Sequence, residues 1–291
     1  MPDSKTGNES NVPSVVAWAV LLFVLTLLGG LPFIVGGLSF HGLSPSTRLP
    51  RLASAGLALI AFSPALAAIL VARFSGRSAV CSLLRQVLTW RVGTVWYGIA
   101  LIGPIILKLF ANVLHIVLGG PPPEHWLALP SLTTIGNNNL FFMIFAMPIG
   151  ALGEELGWRG FGQPRLQERF GALTASVVVG ILWSTWHLWY VITPGGFSNV
   201  TATDAVATYI RLISTSILYA WMYNSTKGSL FLAAIAHAGH NIALTLIQSP
   251  WRVSDVSHLM SAVSYLLAAV AVVLMTNSRT LTRSKVESRN H

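Results

Sequence analysis

The sequence predicts an all-α, polytopic membrane protein, with about eight transmembrane helices and a basic interfacial helix after the second. Three observations carry that prediction. Only 9% of the 291 residues are charged, against roughly 25% in soluble domains. Hydrophobic residues make up 53% of the chain, and the mean hydropathy is +0.65. Apolar runs long enough to cross a bilayer recur along the chain, with bases gathered in the short stretches between them.

Residues 1–14 are polar, contain Pro2, Gly7 and Pro13, and are expected to form a disordered cytoplasmic tail. Residues 15–276 are expected to form a single transmembrane helical domain holding an intramembrane active site, and residues 277–291 a basic cytoplasmic tail. Span 1 is read as Val15–Leu38; it lacks a short h-region with an Ala-x-Ala site and is expected to be retained. Span 2 is Leu52–Ala72. Arg73, Arg77, Arg85 and Arg91 then alternate with Leu83, Leu84, Val87, Leu88 and Trp90, the pattern of a basic amphipathic helix on the membrane surface. Span 3 is Thr94–Leu118, span 4 Asn137–Gly157, span 5 Ala172–Ile192, span 6 Ala205–Tyr223, span 7 Ser229–Gln248 and span 8 Ser257–Met275, with Trp158–Gly171 a short basic segment.

The formal net charge of +9 does not point to nucleic acid, because the bases are dispersed over loops. Eight spans place Lys5, the surface-helix arginines, Arg159, Arg165, Arg169, Lys227 and the C-terminal bases on one side, and only Arg48, Arg51 and Arg252 on the other. Both termini are therefore expected to be cytoplasmic. The one cysteine, Cys81, excludes a disulfide framework and a cysteine metal site.

Of nine acidic residues, only Glu154 and Glu155 fall well inside an apolar run. A carboxylate there costs at least ~2.5–3.5 kcal/mol, so an adjacent pair needs a reason. On a helix Glu155 and Arg159 share a face and Glu154 is turned about 100° away. Glu155 is expected to pair with Arg159, leaving Glu154 to face a cavity. The alternative is a polar seam in which both acids pair with bases. His187, His237 and His240 also lie within spans, with Asn241 four residues after His237 on one face. His240 is read as supporting. A carboxylate and a histidine can take a proton from water, and a second histidine and an amide can stabilise an oxyanion. No cofactor is required by these residues; a zinc held by Glu154, His187 and His237 is chemically open. Two further polar stripes, Lys108-Asn112-His115 and Thr208-Arg211-Thr215, could line the same cavity or serve structure. One tension stands: His187 is too deep for a straight span 5 unless that span begins above the membrane surface or is tilted.

Together these motifs resemble the CAAX prenyl protease type II family, also called the Abi or CPBP bacteriocin-processing group of intramembrane proteases. Glu154-Glu155 with Arg159 resembles its first motif and Trp183 with His187 its second, with Trp in place of the usual Phe. His237 with Asn241 resembles its third. The resemblance implies an eight-helix intramembrane endopeptidase in which Glu154 and His187 activate water, His237 and Asn241 form the oxyanion site, and Glu155 and Arg159 support them. Family members are often labelled metalloproteases, although a metal-free glutamate mechanism is also proposed. The implied partners are membrane lipid and a peptide or lipidated protein: a prenylated CAAX protein or a bacteriocin-like peptide. The rival from a different class is a proton-coupled transporter or a non-catalytic membrane scaffold.

Overall fold

A computed structural model describes residues 11–41, 43, 47–127, 142–249 and 255–283. The protein is helical, as the composition requires, because a backbone in hydrocarbon must satisfy its own hydrogen bonds. In chain order the elements are α1 (Asn11–Val35), α2 (Arg51–Phe74), α3 (Arg77–Arg85) and α4 (Thr94–Val117), then α5 (Met147–Gly157), α6 (Gln163–Phe170), α7 (Ala172–His187), α8 (Ala202–Ser225), α9 (Leu230–Leu246) and α10 (Asp255–Met275). Six helices among the described residues are long and apolar enough to cross a membrane, and Leu230–Leu246 is a shorter apolar helix. With the helix that contains α5, they account for the eight expected spans. Span 4 was expected from Asn137; its first residues, to 141, lie outside the described residues.

The helices close into a ring in which each packs on the next: α1, α2, α5, α9, α4, α10, α8, α7 and back to α1. Local chemistry makes that packing feasible. Pro64 inside α2 has no N–H for the Ile60 carbonyl, and Ser63 Oγ donates to that oxygen instead at 2.8 Å. Gly157 lets α5 press against α2; a Cβ there would lie 2.5 Å from both Pro64 Cβ and the Pro64 carbonyl oxygen. Gly239 does the same for α9, since a Cβ would lie 2.9 Å from the Ala100 carbonyl oxygen that Pro104 leaves without its helical partner. Aromatic rings fill the centre: Trp18 meets Trp158 at 5.3 Å, and Trp158 meets Trp183 at 6.5 Å.

Two boundaries differ from expectation. The first helix begins at Asn11, inside the stretch read as a tail, while residues 1–10 lie outside the described residues. Trp158–Gly171 is not a separate short segment. Helix continues from Met147 to Phe170, through a π-helical turn at Trp158–Gly162, before the chain reverses at Gly171 (φ 80°). Nothing in Gly-Trp-Arg-Gly-Phe-Gly marks a continuing helix, since its three glycines argue against one; burial of Trp158, Arg159 and Phe161 overrides that preference.

Contacts from other elements fix one reference level on the bundle. Gln86, just after α3, donates to the Gly160 carbonyl at 3.3 Å and accepts from Tyr223 OH at 2.6 Å, while Ser229 Oγ bonds the Thr89 carbonyl. Those contacts mark one level across the bundle. At a rise of ~1.5 Å per residue, Glu154 lies ~9 Å below that level and His237 ~12 Å. α7 packs on α8 through Gly180 against Ile213 and Thr185 against Tyr209, so His187 stands deeper along its helix than Glu154 and His237.

Candidate active site

The site forms where α5, α7, α8 and α9 face one another inside the ring. Glu155 and Arg159, one helical turn apart, are both 0% exposed, with Arg159 Nη1 3.2 Å from each Glu155 carboxylate oxygen. The expected pair is therefore present. The guanidinium also lies over the Trp183 ring at 4.7 Å and the Tyr219 ring at 5.1 Å, while its Nε and Nη2 have no hydrogen-bond partner among the described residues.

Glu155 has a second partner that spacing alone did not predict. Its Oε1 is 2.9 Å from His237 Nδ1. A carboxylate engaged by an arginine accepts, so Nδ1 carries the proton and the ring is oriented with Nε2 toward Glu154, 3.9 Å from Oε1. Tyr219 on α8 packs against the same imidazole at 6.0 Å.

Glu154 is 13% exposed. Its Oε2 accepts from Trp183 Nε1 at 2.8 Å. Among the described residues, its Oε1 has no hydrogen-bond partner. Trp183 links the site in two further ways. Its carbonyl is 3.0 Å from His187 Nδ1, and its ring packs against His187 at 5.5 Å and His237 at 5.3 Å. A carbonyl can only accept, so His187 Nδ1 is protonated and its Nε2 presents a lone pair. Asn241 stands one turn after His237, half-buried, and its side chain has no partner among the described residues.

Glu154, Glu155, Arg159, Trp183 and His237 are thus joined directly, and His187 reaches them through Trp183. Trp183 was read only as the aromatic of a motif; its indole N–H makes it a partner of Glu154, which Phe could not be. Tyr219 was missed, because nothing in its own sequence neighbourhood separates it from an ordinary core aromatic. His240 belongs to a neighbouring group, bonded to Arg211 and Tyr265. The Lys108 stripe serves another end: Asn112 Nδ2 donates to the Gln248 carbonyl at 2.7 Å and Lys108 Nζ to Ser249 Oγ, which ties the chain after α9 to α4.

Among the described residues, no three His, Cys, Asp or Glu side chains are arranged to hold a metal ion.

Residues 136–243, which contain all three motifs, match the family model described as type II CAAX prenyl endopeptidase, Rce1-like. CAAX prenyl protease 2 of Methanococcus maripaludis is 27% identical over 135 residues, 45% of this chain and 49% of that protein. The match therefore spans about half the length of that relative. The resemblance seen in the three motifs holds, and over residues 136–243 the chain is similar to the type II CAAX prenyl endopeptidase, Rce1-like family.

Proposed function

We propose that this chain is an intramembrane endopeptidase of the CAAX-processing type, in which Glu154 and His187 activate the water that attacks a peptide bond. The observation that carries this is the state of Glu154. One carboxylate oxygen is fixed by Trp183, and the other is unbonded among the described residues and faces an oriented imidazole. A general base needs a free lone pair beside the proton it removes.

Water held between Glu154 Oε1 and His187 Nε2 loses a proton as its oxygen adds to the carbonyl carbon. Negative charge then develops on the carbonyl oxygen. His237, held between the carboxylates of Glu154 and Glu155, enters the step as an imidazolium with a proton on each nitrogen; Nδ1–H stays with Glu155, Nε2–H donates to that oxygen, and Asn241 adds an amide N–H one turn along. A donor of this kind contributes about 10²–10³ in rate. Collapse of the adduct breaks the C–N bond, and Glu154 returns its proton to the leaving amine. Glu155 and Arg159 act through His237, by holding its ring. No step is routed through a metal.

The substrate is proposed to be a peptide or lipidated protein presented at the membrane, in keeping with the name of the Methanococcus maripaludis relative. The positive-inside bias supports cytoplasmic termini, with the α3 side facing the cytoplasm. The test is purified protein in vesicles, incubated with a quenched peptide carrying a prenylated cysteine near its C-terminus, with and without a chelator. Cleavage insensitive to the chelator is expected. Absence of cleavage, with uptake of protons or solute by the vesicles instead, would overturn the proposal, and chelator-sensitive cleavage would overturn its metal-free step.

A further inference from the structure

We propose that Arg211 anchors the free C-terminal carboxylate of the peptide segment to be released. The inference rests on the proposed peptidase activity and adds to it a determinant of which peptides are cut. Arg211 lies on α8, well inside the bundle and partly exposed. Its Nη1 donates to His240 Nε2 at 3.1 Å. Arginine offers only donors, so His240 Nε2 accepts, Nδ1 keeps the proton, and that N–H points to Tyr265 OH. His240 is thereby fixed as a neutral support for the guanidinium. Only one of the five N–H groups of Arg211 has a hydrogen-bond partner among the described residues.

The surrounding charge is unbalanced in one direction. Glu155 is matched by Arg159, and Glu154 faces His237. Among the described residues no acid forms an ion pair with Arg211 or with Lys108, which is only 7% exposed, and these two cations repel each other. The other ionisable groups that interact with Arg211 are Tyr190, Tyr219, Tyr265 and His187, none of them an acid that is charged at neutral pH. A planar fork with free donors and no counter-charge matches a carboxylate. Position fits as well. His240 stands one turn past His237, about 5–6 Å between Cβ atoms, and the guanidinium is bonded to its far nitrogen at 3.1 Å. That distance suits two or three extended residues at about 3.3 Å each between the cut bond and the chain end.

The test compares two peptides of one sequence, ending in a free acid or an amide, cleaved in phosphatidylcholine vesicles. The wild-type protein should favour the acid by about 10- to 100-fold in kcat/KM. Arg211→Gln should bring the acid-to-amide ratio close to 1, and Arg211→Lys should restore part of it. Equal cleavage of both peptides by wild type, or an unchanged ratio in Arg211→Gln, overturns the proposal. If added phosphatidylglycerol abolishes the acid preference, the site belongs to a lipid headgroup and the proposal also falls. If neither peptide is cut, the peptidase reading fails on its own. Binding of Val-Ile-Met and its C-terminal amide then decides the anchor: acid preference lost in Arg211→Gln supports it, and equal binding overturns it.

Discussion

Glu155 and Arg159 form an ion pair with no exposed surface, and His237 leans on the same carboxylate at 2.9 Å. Breaking such a pair from one side leaves the other charge buried and uncompensated. Glu155→Gln alone and Arg159→Met alone should each cost about 3–5 kcal/mol, whereas removing both charges together is often close to neutral. The double variant should therefore be more stable than either single one, with a coupling of about 3 kcal/mol or more. Reversible unfolding in mixed micelles with increasing dodecyl sulfate, followed by tryptophan fluorescence, measures all four proteins. Activity should not follow stability. The double variant regains its fold but lacks the carboxylate that orients His237, so its cleavage rate should stay low. If the two single losses simply add, the pair is not energetically coupled and this account of the site's support is wrong.

Three further outcomes are expected. Trp183→Phe keeps an aromatic ring, and Phe is the usual residue in the family this chain resembles, so the fold should survive. Loss of the N–H to Glu154 should still lower kcat/KM about 10-fold or more, from a charge-assisted bond of about 1.5–3 kcal/mol; an unchanged rate would show that Glu154 needs no such hold. Gly157→Ala should destabilise by about 1–3 kcal/mol, because the added methyl meets Pro64 backbone and ring; a neutral effect in the same micelle titration would contradict the packing. Cys81, the sole cysteine, is exposed on α3. A membrane-impermeant maleimide should label it in inverted vesicles and not in intact cells, and the reverse pattern would invert the proposed topology.

Much of the fold was legible because hydrocarbon leaves the chain few options. Span positions followed from apolar length, and the start of α8 is marked by the capping box that Thr201 forms with Asp204. Contacts within one helix were equally legible, since Glu155 and Arg159 meet at a spacing fixed by 3.6 residues per turn. What spacing cannot supply is the partner across helices. Glu155 to His237, Trp183 to Glu154 and Arg211 to His240 each join separate elements. Nothing local distinguishes Tyr219 from other aromatics or sets apart Lys108, which fastens the end of α9, from Arg211, which does not. Three glycines in Gly157–Gly162 hid a helix that packing holds together.

The central claim is that Glu154 is the base of a single hydrolytic centre. The most direct measurement is the single-turnover cleavage rate of one peptide by the wild-type protein and by Glu154→Gln in the same vesicles, with equal folding verified by the micelle titration. The variant should be slower by at least about 10²-fold, since it loses the proton acceptor. Cleavage at the wild-type rate by a folded Glu154→Gln protein would contradict the account.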